Sequence, residues 1–425
     1  MDNTEQLTNK LWNKNFTMLT IGQIVSLFGN AVIRFALPMH IFLISGSAEL
    51  MGRVLALSLI PMAILSPFGG ALADRVSKKW LIVFLDFLTA IATFIYLWTI
   101  GLLSIVPITI IALMLFSCIK TMMSSATDAS VPLLVPADQL VRANSVTMTI
   151  NTLSILLGPA LGGVFLAGFG LEATLLICGI CFALAAVMEM IIRIPGVKQA
   201  SSGNIVVDMM KDTIDGIRFA VKGKPIIGKI LLVMVAFALA APGLGVIGVP
   251  VLIIRDFGMD ERMVGISQGI MGAGGVVGGV LVGILGQRVR IQKNHLPLLM
   301  IGMLLIPVGV ASFLSDYPFL AYSIITASMF IMMGVMTVFT IQIMTFIQRV
   351  TPAELLGKMM GLVMLASLVS QPLGNWLIGV LFEQFETAPW IVIFPIALVS
   401  ILIALWSRVY FKSIPQESKT EEGSR

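Results

Sequence analysis

The sequence predicts an all-α membrane protein: twelve transmembrane helices arranged as two pseudo-symmetric six-helix bundles. Three observations predict it. The chain of 425 residues is 58% hydrophobic and only 12% charged, with a mean hydropathy of +1.01. Soluble globular proteins are about 45–50% apolar and about 25% charged. Second, the apolar residues fall into about twelve runs, each near the roughly 20 residues that cross a bilayer as a helix. Third, the chain repeats itself. Shifted by 216 residues, 131–169 lies on 347–385, so that Pro136 meets Pro352, Ala137 meets Ala353 and Leu140 meets Leu356. Arg142 likewise meets Lys358, Met148 meets Met364, Gly158 meets Gly374, Gly163 meets Gly379 and Phe169 meets Phe385. A repeat spaced by half the chain implies two halves of like orientation, with a substrate site between them at mid-membrane.

The runs lie near 16–44, 48–72, 80–100, 105–127, 143–168 and 171–192 in the first half. In the second they lie near 226–250, 262–286, 295–314, 318–346, 357–382 and 389–411. The polar segment before Phe16 lacks the short apolar core and small-residue cleavage site of a signal peptide, so the first run reads as a retained span. Span seven carries Pro242, Gly243, Gly245, Gly248 and Pro250, a broken end suited to a hinge. Span eight carries two small-residue rows for close helix packing, Gly265, Gly269 and Ala273, then Gly275, Gly279 and Gly283. It lacks the Lys-Ser or Lys-Thr of a phosphate-binding loop.

The expected domains are 1–193, a six-helix half; 194–225, a linker; 226–412, the second half; and 413–425, a polar tail. In the linker Asp208, Lys211, Asp212, Asp215, Arg218 and Lys222 recur at helical spacing, with Val206, Met209, Met210, Ile214, Ile217 and Val221 between them. That pattern reads as an amphipathic helix on the membrane surface.

Charge sets the orientation. With the N-terminus inside, 21 of the 27 Lys and Arg residues fall in inside segments, so both termini are expected in the cytoplasm. The same asymmetry explains the net charge of +5 without a nucleic-acid partner. Cys118, Cys178 and Cys181 lie in apolar runs and form no disulfide framework, and His40 and His295 cannot furnish a multi-histidine metal site. No metal, cofactor or catalytic set is expected.

Two motifs stand out. The turn after span two reads Gly69 to Lys79, GGALADRVSKK, and span five contains Gly158-Pro159-Ala160-Leu161-Gly162-Gly163. Through Gly70, Leu72, Asp74 and Arg75, followed by Lys78 and Lys79, the first resembles the loop 2–3 signature of the major facilitator superfamily. The resemblance implies a gate in which Asp74 meets the start of span eleven, near Gly357–Gly361, where the helix dipole favours an anion. The equivalent turn near Gly286–Arg290 has no Asp, so this latch is one-sided. Gly158, Pro159, Gly162 and Gly163 resemble the signature of the superfamily's antiporters, which is thought to seal the half-interface. With LVPADQLVRANS (Leu134–Ser145), the chain looks most similar to the bacterial drug-efflux branch that includes macrolide exporters.

That resemblance implies a secondary transporter of the bacterial cell membrane, exporting a hydrophobic or amphipathic compound by proton-coupled antiport. The alternative is export or flipping of a lipid or siderophore-like metabolite. Expected partners are the small-molecule substrate, protons and membrane lipids, with the chain a monomer. Intramembrane polar residues usually face a cavity. The candidates for the substrate and proton pathway are Asn30, Arg34, Asp86, Lys120, Asn151, Glu189, Gln268, Gln342, Gln371 and Asn375. Asn30 and Arg34 share a helix face. Lys120 stands where exporters of this superfamily often carry an Arg. Two simpler roles stay open: Asp86 as an ion-pair partner of Arg75 or Arg142, and Glu189 extending to the membrane surface beside Arg193.

Overall fold

The computed structural model describes residues 11–194, 214–215, 217–285 and 291–412. Among them there is no strand, and ten helices are long and apolar enough to cross a membrane. One of the ten, Arg142–Met190, is 49 residues long and divides at Gly170, whose φ of 75° only glycine adopts readily. Ala48–Arg75, 28 residues long, adds one more span. The spans are α1 (Lys14–Ser45), α2 (Ala48–Arg75), α3 (Lys78–Thr99), α4 (Ile105–Leu134), α5 (140–169) and α6 (171–190). They continue with α7 (Pro225–Asp256), α8 (Glu261–Leu285), α9 (His295–Ala311), α10 (Pro318–Val350), α11 (Ala353–Gln384) and α12 (Trp390–Lys412).

Helix direction follows from which residues touch. Gly158 and Gly162 of α5 lie on Ala31 and Phe35 of α1, so these two helices run parallel. Gly22 and Gly29 of α1 lie under Glu189 and Phe182 of α6, so α6 runs back after Gly170. The start of α1 and the end of α12 therefore share one face, called here the terminal face. The opposite, distal face carries the turns at Gly46, Gly170 and Gly258.

Each half packs in the same order. In the first, α1 packs on α5 and α6, α2 on α4, and α3 on α4 and the α5–α6 hairpin. In the second, α7 packs on α11, α8 on α10, and α9 on α10 and α12. The repeat is visible atom by atom: Gly158 of α5 seats on α1, and its counterpart Gly374 of α11 seats on Leu239 of α7. The halves meet mainly through α2 with α11 and α5 with α8.

The rich Pro and Gly content of α7 produces wide turns at Leu244–Gly248 and Leu252–Asp256 within a continuous helix. Two of its glycines lie on α11: Gly243 against Gly374 and Ile378, and Gly248 against Phe382, whereas Gly245 faces Met271 and Met329. Arg255 fastens the end of α7 by donating to the carbonyls of Phe382 and Glu386, each at 3.3 Å. On α8 the first small-residue row meets α5 as its spacing predicts. Toward α10 the tight positions are Gly274 against Phe330 and Gly278 against Gly334, one residue before the predicted Gly275 and Gly279; a Cβ on Gly283 would meet nothing. The row is shifted by one helical step because α8 turns its closest ridge to α10.

Most of the linker lies outside the described residues, as do the tail and the turn at 286–290. Its last turn leaves Ile214, Ile217 and Val221 exposed, while Asp215 pairs with Lys358 of α11 at 2.6 Å.

Candidate substrate and ion site

Helix α1 carries a polar stripe that repeats every three or four residues: Gln23, Ser26, Asn30 and Arg34. At 3.6 residues per turn these side chains share one face. That face turns inward, and Gln23, Ser26 and Asn30 are each less than 10% exposed. It forms one wall of a narrow cleft with an accessible volume of about 30 Å³. The other walls are Asp86 and Thr89 of α3, Lys120, Met123, Ser124, Thr127 and Asp128 of α4, and Thr147 and Asn151 of α5. All of them belong to the first half.

Asp86 is deeply buried, 1% exposed. It accepts a hydrogen bond from Ser26 Oγ at 2.7 Å. Glu189 of α6, also 1% exposed, stands behind it; Gln23 Nε2 donates to Glu189 Oε1 at 3.5 Å. The two carboxyl groups lie within hydrogen-bonding reach of each other. Their outer oxygens, Asp86 Oδ2 and Glu189 Oε2, are buried with no protein donor. An ionised carboxylate only accepts, so a hydrogen bond between two carboxyls requires that one of them carry a proton. The arrangement is chemically suited to holding one proton between two helices.

This bears on both simpler roles. Asp86 does not pair with Arg142: it bonds to Ser26 inside the bundle, whereas Arg142 is exposed at the start of α5, 3.5 Å from Gln139 Oε1, and the Arg75 side chain lies outside the described residues. Glu189 does not extend to the surface, because Gly22 leaves room beneath it; a Cβ there would stand 2.8 Å from Glu189 Oε1. Lys120 and Arg34 are close enough for their charges to act on each other, and Lys120 faces the same cleft as Asp86. Asp128 holds Ser124 Oγ at 3.5 Å at the edge of the cleft.

Five of the ten predicted pathway residues thus gather around this cleft: Asn30, Asp86, Lys120 and Asn151 line it, and Glu189 backs Asp86. Arg34 sits beside Lys120. Those of the second half do not reach it. Gln342 has both amide atoms buried without a partner, and Asn375, 3% exposed, has an unpartnered Oδ1. Gln268 is half-buried and Gln371 exposed. The sequence reading left out Ser26, although its place between Gln23 and Asn30 on the polar stripe signals it. It also left out Thr89, Thr127 and Thr147, whose type carries no signal in a membrane helix.

The antiporter-like segment lies at the half-interface. Gly158 and Gly162 face α1, while Gly163 faces α8: a Cβ on Gly163 would be 2.6 Å from Glu261 O and 2.9 Å from Gly265 Cα. Its repeat partner Gly379 makes the matching approach of α11 to α2, 2.6 Å from Ala48 O and 3.3 Å from Gly52 Cα. Both contacts sit toward the distal face. Of the loop 2–3 motif, Gly70, Leu72, Asp74 and Arg75 have side chains outside the described residues. Lys78 is buried, and Lys79 Nζ lies 5.3 Å from the Trp80 ring.

Residues 19–367 match the Major Facilitator Superfamily. The chain belongs to this superfamily. Among curated superfamily-like relatives, Macrolide efflux protein A of Streptococcus pyogenes is 22% identical over 400 residues, covering 92% of this chain and 95% of that protein. The MFS-type transporter YfiS of Bacillus subtilis is 25% identical over 383 residues, 87% of each chain. Among solved structures, nucleoside transporter NupG aligns with a TM-score of 0.73 at 14% identity, over 95% of this chain and all of that one. A bacterial homologue of the iron transporter ferroportin aligns at 0.67 and 18% identity, over 94% and 98%. At such identities the structures speak to the fold alone. As a superfamily member the chain is a multi-pass membrane transporter of small molecules.

Proposed function

We propose that this transporter exports a hydrophobic or amphipathic compound, such as a macrolide or another drug, from a bacterial cell in exchange for protons. The observation that carries the reading is the buried Asp86–Glu189 pair, which backs a cleft lined on its other side by Lys120. The charged groups facing Asp86 are Glu189 from α6 and Lys120 and Asp128 from α4; α1 presents neutral Gln23, Ser26 and Asn30, with Arg34 one turn on beside Lys120, and α5 presents neutral Thr147 and Asn151. In the cycle, a proton shared by the two carboxyls is released when substrate or Lys120 takes its place, and the halves rock about the cleft.

The direction rests on two supports. The relatives named for macrolide efflux span almost the whole chain. The segment from Gly158 to Gly163 stands where α5 meets the other half, as a leak-proof exporter requires. Leu27, Ile119 and Met123 in the cleft suit an apolar cargo. Both termini are taken as cytoplasmic, so the terminal face, which carries Lys14, Lys78, Lys358 and Lys412, is the cytoplasmic one. The halves are 1–193 and 226–412, joined by the linker 194–225, and the chain acts as a monomer among lipids. Asp74 latches the terminal face against the start of α11.

A resistance screen in a host lacking its own exporters tests this, with Asp74→Asn as the inactive control. Raised resistance to macrolides or other amphipathic drugs, lost in Asp74→Asn, is expected. No resistance to any such compound would remove the export reading, and full activity of Asp74→Asn would remove the latch.

A further inference from the structure

The pair α2 and α11 crosses the half-interface antiparallel, and its distal end carries a bond that no repeat or motif foretells. Glu383, one turn beyond Gly379 on α11, extends its carboxylate across the interface and accepts the backbone N–H of Ala48 through Oε2 at 2.8 Å. Ala48 is the first residue of α2 and fully buried. The first N–H groups of a helix have no partner within it and attract a negative charge. Ser47 Oγ satisfies the N–H of Leu50 from the same half, while the N–H of Ala48 is satisfied only from the other half.

The register leaves no slack. Gly379 lies on Ala48 and Glu49, and Gly52 on Asn375 and Gly379, so the two backbones touch one turn from the carboxylate. Arg255 holds the end of α11 on its own half through the carbonyls of Phe382 and Glu386. Glu383 is thus mounted on a fixed platform and reaches a helix end that belongs to the opposite body. A rigid rocking that parts the distal face by even one side-chain length breaks this bond.

We infer that Glu383 is a positioning residue of the transport cycle that holds the distal face shut, and that it works in alternation with Asp74. Asp74 lies at the terminal end of α2, and the resemblance of its loop implies that it meets the start of α11; Glu383 sits at the distal end of α11 and grips the start of α2. One helix pair then carries a carboxylate-to-helix-start latch at each end, each donated by a different half. The latch that is one-sided across the repeat is two-sided along the pair. The inference rests on the alternating-access reading above, but not on the identity of the cargo or on protons.

The test needs no substrate. Spin labels at Leu102→Cys and Asp316→Cys, exposed distal positions on opposite halves, report the distal distance in nanodiscs, with Cys118, Cys178 and Cys181 replaced. Glu383→Ala is expected to lower the ratio of short to long distances about tenfold, the effect of losing one charge-assisted bond. Glu383→Gln keeps an oxygen acceptor and falls between. Asp74→Ala shifts the ratio the other way, and the double variant returns toward the parent. An unchanged distribution in Glu383→Ala overturns the inference, as does a shift of the same sign in Asp74→Ala. Should Glu383→Ala fail to elute as a folded particle, the Glu383→Gln distribution decides by the same criterion. A transporter that exports no drug yet shows these shifts keeps the latch and loses only the cargo.

Discussion

Replacing Gly163 by alanine puts one methyl group into the closest approach of α5 and α8. The added Cβ would stand 2.6 Å from Glu261 O, 2.9 Å from Gly265 Cα and 3.1 Å from Gly265 N. All three are backbone atoms of the opposite half, so no side chain can rotate out of the way. Carbon atoms rest about 3.5–4.0 Å apart, so the 2.9 Å contact with Gly265 Cα requires α5 and α8 to separate by at least roughly 0.6 Å along that turn. Overpacking of this kind costs about 1–3 kcal/mol. The cost falls only on the state in which the distal face is closed. A difference of that size shifts a two-state balance by about 5–150-fold. Distance measurements across the distal face should show the closed population falling accordingly, and export falling with it. Gly283→Ala is the control, since a Cβ there meets nothing within 4 Å. It should leave the distances unchanged. Closed-state populations that are equal in Gly163→Ala and the parent would refute the argument that this glycine seals the halves.

Two further substitutions separate chemistry from architecture. Glu189→Gln keeps the size of the side chain and its contact with Gln23 but ends the shared proton. Gradient-driven export should drop at least about tenfold while substrate exchange without a gradient continues, measured in proteoliposomes; equal loss of both would assign Glu189 to folding or binding. Ser26→Ala removes the 2.7 Å hydroxyl bond to Asp86. A hydrogen bond to a charged group contributes about 1.5–3 kcal/mol, so the unfolding midpoint in detergent should fall, and an unchanged midpoint would mean that Asp86 finds another donor.

Sequence carries the fold of this protein well because the membrane allows few alternatives. Apolar runs of about 20 residues must be helices, since lipid satisfies no backbone group. The 216-residue repeat then fixes the pairing, and Gly163 and Gly379 make equivalent contacts in the structure. The site is legible only in part. Lys120 and Asp86 are conspicuous because charge is rare in these spans. Their partners are not: that Glu189 lies behind Asp86 depends on α6 folding back over Gly22, which no local pattern states. Glu383 sits at a helix end, where a carboxylate is ordinary, and its grip on Ala48 spans 335 positions of sequence. The second-half amides Gln342 and Asn375 read as pathway residues because they are polar, yet the cleft is built from the first half.

The most direct test of proton-driven export is transport of a macrolide or an amphipathic dye into inverted membrane vesicles with an imposed pH gradient. Uptake should rise with an acidic interior and vanish when the gradient is collapsed by an ionophore, and Glu189→Gln vesicles should respond to neither. Uptake that is unchanged by collapsing the gradient would contradict the coupling assigned to Asp86 and Glu189.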